Sequence, residues 1–92
     1  MLTYKRKTIF DNVETVLRAI DTPRTFAKIQ RSSGLRWDIL RGILNTLEET
    51  TLIKRGIGQD SKKIIYTRTE KGIQYIEHCE IIKNLINYKI IE

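Results

Sequence analysis

TFAKIQRSSGLRWDILRGILNTLEETTLIKRG, Thr25 to Gly56, is the stretch whose reading decides the fold. Thr25 is a good helix N-cap, and Phe26, Ala27, Ile29 and Gln30 supply a narrow apolar stripe behind it. A short helix is therefore predicted over Phe26 to Ser32. Gly34 ends it as a left-handed residue, and Leu35 plugs the turn that follows. Leu40, Ile43, Leu44 and Leu47 then recur at helical spacing, which predicts a second helix from Arg36 to Thr50. Arg36, Trp37, Arg41 and Asn45 fall off its apolar stripe. Two short helices joined by a Gly-containing turn, the second polar on its outer face, are the pattern of a helix-turn-helix.

Outward from this unit, Leu52 to Ile57 and Lys62 to Thr67 are β-rich runs. Gly58-Gln59-Asp60-Ser61 between them reads as a turn, so the pair is a hairpin. A hairpin directly after the second helix makes the unit a winged helix. The small first strand usual in that fold would lie around Pro23 to Thr25. Upstream, Ile9, Phe10, Val13, Val16, Leu17 and Ile20 predict a first helix over Ile9 to Asp21, with Thr8 and Asp11 as a shortened capping box. Thr22-Pro23 stops it. Downstream, Thr69 and Glu70 open a long last helix that carries Ile73, Ile76, Ile81, Ile82, Leu85, Ile86 and Ile90. The expected fold is mainly α with a β-hairpin wing: residues 1–68 as the winged helix-turn-helix and 69–92 as a C-terminal dimerisation helix.

Charge follows this division. The 92 residues carry a formal net charge of +6. From Arg24 to Lys63 nine Lys and Arg stand against four Asp and Glu, whereas from Thr69 to Glu92 three Lys face four Glu. The cationic excess thus sits on the central unit, which points to a polyanion there. On the second helix of the pair, Arg36 and Arg41 suit guanine edges or phosphates, and Asn45 suits adenine or a phosphate. Ser32, Ser33 and the N–H groups at that helix start suit a phosphate oxygen, with Lys28 and Arg31 on the preceding helix beside them. Trp37 either reaches thymine methyls and sugars or covers the seam between the first and third helices; the packing role is preferred. In the wing, Lys54, Arg55, Lys62 and Lys63 flank the turn, and Gln59 lies near its tip. DNA contact is the preferred role, and guarding an exposed strand edge is compatible with it. Lys5-Arg6-Lys7 is a further basic cluster.

Tyr75, Cys79, Ile82 and Ile86 step by the intervals of a coiled-coil seam, which predicts a homodimer through the last helix. Cys79 on that seam is either a small buried apolar group or an intersubunit disulfide with its own copy. Catalysis finds no support: His78 is the only His, Cys79 the only Cys, and no nucleophile–base set or phosphate loop is present. No metal, cofactor or small-molecule ligand is expected. No apolar run reaches a membrane span. MLTYKRKTIF has no secretory h-region, so a cytoplasmic protein is expected.

Taken together, TRTFAKIQRSSGL, TLIKRG and TRTEKGIQYI resemble the archaeal winged-helix DNA-binding proteins. The likeness is greatest to small dimeric chromatin-associated proteins of Sulfolobus and to winged-helix regulators of Sulfolobus viruses, and more distant to MarR/SlyA repressors. Sixteen isoleucines with few Pro and Gln also resemble hyperthermophile usage. The resemblance implies an archaeal or viral DNA-binding homodimer acting as a transcriptional regulator, with helix 3 in the major groove and the wing on the adjacent minor groove or backbone. An architectural DNA-coating protein and a protein-interaction module are the alternatives. Two positions depart from the pattern. Thr51 stands where such folds usually carry Gly before Leu52, so a changed helix exit is expected. Gly42 stands where many relatives carry a polar or basic contact residue.

Overall fold

Val16 and Leu17, with Ile20 just beyond the helix end, are wholly buried, and they anchor the first helix, α1 (Ile9–Ala19), to everything else. The computed structural model describes residues 9–59 and 62–91, with side chains over 11–59 and 62–86. The Thr8 cap, the Lys5-Arg6-Lys7 cluster, Asp60, Ser61 and the side chains of Ile9, Phe10, Tyr88 and Ile90 lie outside the described residues. After α1 come β1 (Arg24–Thr25), α2 (Phe26–Ser33), α3 (Trp37–Glu49), β2 (Ile53–Ile57), β3 (Ile64–Arg68) and α4 (Glu70–Ile91). The strands form one antiparallel sheet in the order β1-β3-β2. Arg24 pairs with Tyr66, and Arg55 pairs with the same Tyr66 from the other side.

The core joins Ile29 of α2, Leu40, Ile43, Leu44 and Leu47 of α3, Ile53 of β2 and Ile76 of α4 to the α1 residues. Apolar burial on this scale is the main stabilising term of so short a chain. Ala27 is exposed, so the stripe of α2 is narrower than its sequence suggests: Ile29 carries it, with Phe26 half-buried beside it. Thr25 caps α2, its hydroxyl accepting from Lys28 N–H at 3.4 Å. Gly34 has φ 72°, and its N–H closes onto the Gln30 carbonyl. That left-handed turn swings Leu35 back against the core.

Several boundaries move by one or two residues from the sequence expectation. α1 ends at Ala19, before Asp21, whose carboxylate pairs with Arg24 at 3.0 Å. α3 begins at Trp37, with Arg36 extended at its N-cap. β3 begins at Ile64, since Lys62 has φ 56° and cannot continue a strand.

The expected change at the α3 exit does not occur. Thr51 takes φ 63°, the left-handed geometry that glycine would supply, at a strain cost for a β-branched residue. Neighbouring groups hold it there. Leu52 N–H bonds the Leu47 carbonyl at 2.8 Å, and the Thr69 hydroxyl donates to the Thr51 carbonyl at 2.6 Å. The Lys71 ammonium donates to the Thr50 carbonyl at 2.8 Å. Gly72 then lets α4 cross against this turn: a Cβ there would sit 2.3 Å from the Leu52 carbonyl oxygen. Thr51, Thr69, Lys71 and Gly72 thus form one joint between the wing, α3 and α4.

Candidate nucleic-acid interface

The outer face of α3 follows from its inner one. With Leu40, Ile43, Leu44 and Leu47 turned inward, Trp37, Arg41 and Asn45 point outward one turn apart. Trp37 is 60% exposed, so it does not cover the seam between α1 and α3. Its ring lies instead beside Arg41, whose guanidinium carbon is 5.9 Å from the Trp37 ring centre and 5.3 Å from that of Phe26. The two rings restrain Arg41 on the surface, an arrangement favourable for a cation against π faces. Arg36 is also exposed but engaged, donating to Asp38 at 2.9 Å across a solvated pair of small energetic weight. Gly42 leaves the same surface bare, next to Ile39 and the α1 residue Val13.

The wing presents a second basic group. Lys54 and Arg55 are exposed on β2, and Lys62 and Lys63 are exposed just before β3. Gly58 N–H to the Lys63 carbonyl (2.7 Å) and Lys62 N–H to the Gly58 carbonyl (3.1 Å) close the turn, with Gln59 exposed inside it. Arg55 is not free: its Nε donates to Glu48 at 3.2 Å, tying the wing to the end of α3. Glu48 at that helix end therefore has a structural partner in the wing.

On α2, Lys28, Arg31 and Ser32 are exposed and share one face. Ser33 is half-buried and occupied, its hydroxyl donating to the Gln30 carbonyl and accepting from Leu35 N–H, both at 3.4 Å. It serves the turn. Two residues escaped the sequence reading. The apolar stripe of α2 places Phe26 in the core alone, yet its ring seats Arg41. Arg24 joins Lys28, Arg31 and Ser32 around one hollow. Extending the basic spacing of α2 back by one turn, across Thr25, would have found it.

α4 divides along its length. Ile76 is buried, and Tyr75 packs against the core. Cys79 is a free thiol, half-buried, with Glu14, Lys83, Arg18 and Glu80 around it. Burial pushes both the Cys79 thiol and the Tyr75 phenol above their usual ranges. Glu14 of α1 is almost buried and accepts from Lys83 and from Arg18 Nε, each at 2.8 Å; Arg18 also pairs with Glu80. The Lys83 hydrogen bond leads in holding the Glu14 carboxyl below its usual value against the opposing effect of burial. Beyond this network Ile81, Ile82, Leu85 and Ile86 are each more than half exposed. The predicted seam is therefore not one surface: Tyr75 and Cys79 are partly covered by this chain, and Ile82 and Ile86 are open. Among the described residues no group of three or more His, Cys, Asp or Glu is placed to hold a metal ion. No helix among them is long and apolar enough to cross a membrane.

Three helices, a hairpin wing and a long closing helix in this order and register define a winged helix. Solved structures share it. A variant of MepR from S. aureus superposes with a TM-score of 0.79 at 19% identity, over 88% of this chain and 63% of that one. The transcriptional regulator BldR from Sulfolobus solfataricus gives 0.75 at 21% identity, over 88% and 60%. Sso10a-2, a DNA-binding protein from the same organism, gives 0.71 at 22% identity, over 91% and 90%. This chain thus spans about three-fifths of MepR and BldR but nearly all of Sso10a-2. No protein-family model matches the sequence, and no curated protein matches it.

Proposed function

We propose that this chain binds double-stranded DNA as a homodimer and acts as a transcriptional regulator, without catalysis or cofactor. α3 enters the major groove, and the hairpin lies on the adjacent minor groove or backbone. The observation that carries this reading is Arg41, held outward on α3 between the rings of Phe26 and Trp37. A guanidinium restrained in this way loses little freedom on forking two hydrogen bonds to a guanine edge. Asn45 lies one turn further along the same face, and the wing lysines supply backbone charge. BldR is a transcriptional regulator and Sso10a-2 a DNA-binding protein, which agrees with this reading.

The dimer is proposed on the open part of α4. Ile81, Ile82, Leu85 and Ile86 form an apolar strip that this subunit leaves uncovered. A second copy docked there sets the spacing of two reading helices. Cys79 lies on the side of α4 nearest Glu14 and stays reduced in this arrangement. Sedimentation should give twice the chain mass, and Ile82→Glu with Ile86→Glu should give one chain mass.

An architectural role is the second reading, favoured by the bare Gly42 and by the Arg36–Asp38 pair, which thin the base-reading groups on α3. Selection of bound duplexes from a random pool, followed by affinity measurement, separates the two. A regulator prefers its site to random sequence by at least roughly a thousandfold, and a coating protein does not.

A further inference from the structure

The end of the wing carries an apolar pair that the basic groups around it do not explain. Ile57 closes β2 and Ile64 opens β3, and the two stand directly opposite each other in the antiparallel register. Ile57 is 71% exposed and Ile64 48%. Opposed residues share one face of a hairpin, as do residues two apart along a strand. Ile53, Arg55 and Ile57 therefore form one row, with Ile64 and Tyr66 beside it. The base of this face lies inside the protein, since Ile53 is buried and Tyr66 packs against the core. Further out, Arg55 reaches Glu48 at the end of α3. Ile57 and Ile64 continue this inward row to the exposed end of the hairpin, on the face turned towards α3.

The surroundings narrow the class of partner. Lys54, Lys62 and Lys63 are exposed on the same hairpin, while Arg55 is held back by Glu48. A neutral apolar partner would cover the isoleucines and gain nothing from the lysines. A polyanion without apolar surface would meet the lysines and leave the isoleucines in water. The minor groove of a duplex offers both: phosphates along its rims, and sugars and base faces within. An anionic lipid surface also offers both, but an occupant of this face has to accommodate α3 as well, with Arg41 and Asn45 on its outer side.

We infer that Ile57 and Ile64 act as an apolar wedge in the minor groove, so that this protein kinks the duplex it binds. The inference rests on the proposed DNA-binding function and adds deformation of the DNA to it. Both side chains are β-branched and have few rotamers, so they lose little freedom on insertion. The undistorted groove is about 6 Å wide, too narrow for the end of a hairpin carrying two isoleucines. Partial unstacking of the base step beneath the wing opens it and gives the isoleucines an apolar surface to meet. The flanking lysines offset phosphate charge on the rims and hold the wing in place.

The experiment uses a duplex recovered from the random pool by the wild type, with a donor and an acceptor dye at its ends. In a second series 2-aminopurine replaces each adenine in turn. The proteins are the wild type, Ile57→Thr with Ile64→Thr, and Ile57→Val with Ile64→Val. Threonine keeps the branched shape and strand preference of isoleucine, so the hairpin is retained. At saturation the wild type should bend the duplex by about 20–90° and brighten 2-aminopurine beneath the wing. The Thr variant should bind about tenfold more weakly and leave the saturated duplex nearly straight. The Val variant should bend it as the wild type does. If the wild type leaves the duplex straight, or the Thr variant bends it equally, the wedge is overturned and the DNA-binding reading stands. Unchanged bending by a Thr variant that has lost binding to phosphatidylserine vesicles also overturns it, and assigns the pair to a lipid surface. Unchanged bending with a fall in sedimenting mass overturns it in favour of a contact between copies. A wild type that retains no duplex at low salt overturns both readings.

Discussion

The Thr69 hydroxyl donates to the Thr51 carbonyl at 2.6 Å and accepts from Gly72 N–H at 3.2 Å. One side chain thus caps α4 and holds the exit of α3. The direction of α4 is coupled through this joint to the direction of α3, and in the proposed dimer to the distance between the two α3 helices.

Thr51 sits at φ 63° with a β-branched side chain. Thr51→Gly should relieve left-handed strain of about 1–2 kcal/mol and give back about half of it as added freedom of the unfolded chain. A net gain of roughly 0.5–1 kcal/mol is expected in urea unfolding. A loss of stability would mean that the joint depends on the Thr51 side chain itself.

Gly72 has the opposite character. A methyl group there meets the Leu52 carbonyl oxygen at 2.3 Å, and backbone cannot step aside as a flexible side chain can. Gly72→Ala should therefore destabilise by about 1–3 kcal/mol, despite alanine's better helix propensity. An unchanged denaturation midpoint would show that α4 can shift away from β2 at little cost.

Glu14 makes stability depend on acid. Lys83 and Arg18 hold its folded pKa below the ordinary 4.5, so between the two values the unfolded chain binds the proton more readily. The Glu14 contribution is complete above about 4.5 and disappears as pH falls through the folded value. Glu14→Gln should cost about 1–3 kcal/mol at pH 7 and flatten this part of the stability profile. Equal slopes for the two proteins between pH 5 and 2 would exclude Glu14 as a source, and thermal melts across that range would measure it.

Trp37 is the single tryptophan and is largely exposed. Its fluorescence should change on duplex addition, because the proposed contact face surrounds it. Trp37→Ala should weaken binding by roughly three- to tenfold through looser placement of Arg41, and Arg41→Ala should weaken it further and relax base preference. Retained fluorescence and affinity on saturation with duplex would place the contact elsewhere.

Cys79 should alkylate slowly in the folded protein at pH 7–8, since burial keeps it as the thiol. Fast labelling equal to that of the unfolded chain would contradict its place beside α1. Dimers that vanish only on reduction would instead favour the bridged Cys79.

Much of this molecule is written in local pattern. The 3.6-residue spacing of Leu40, Ile43, Leu44 and Leu47 determined which side of α3 is buried, and so which residues face out. Gly34, Thr25 and the two β-rich runs determined the turn, the cap and the hairpin, because backbone geometry depends on near neighbours. Tertiary structure decided what lies between elements. Arg41 rests on Phe26 from another helix, Arg55 is taken by Glu48, Arg24 joins the α2 cations, and Tyr75 and Cys79 are turned towards α1 while Ile82 and Ile86 stay open. Thr51 shows the same division: its own preference opposes a left-handed turn, and bonds from residues 18 and 20 positions away hold it there. Periodicity records which face a residue takes on its own element. It carries no record of which distant charge or ring will meet that face, since those contacts exist only once the chain has closed on itself.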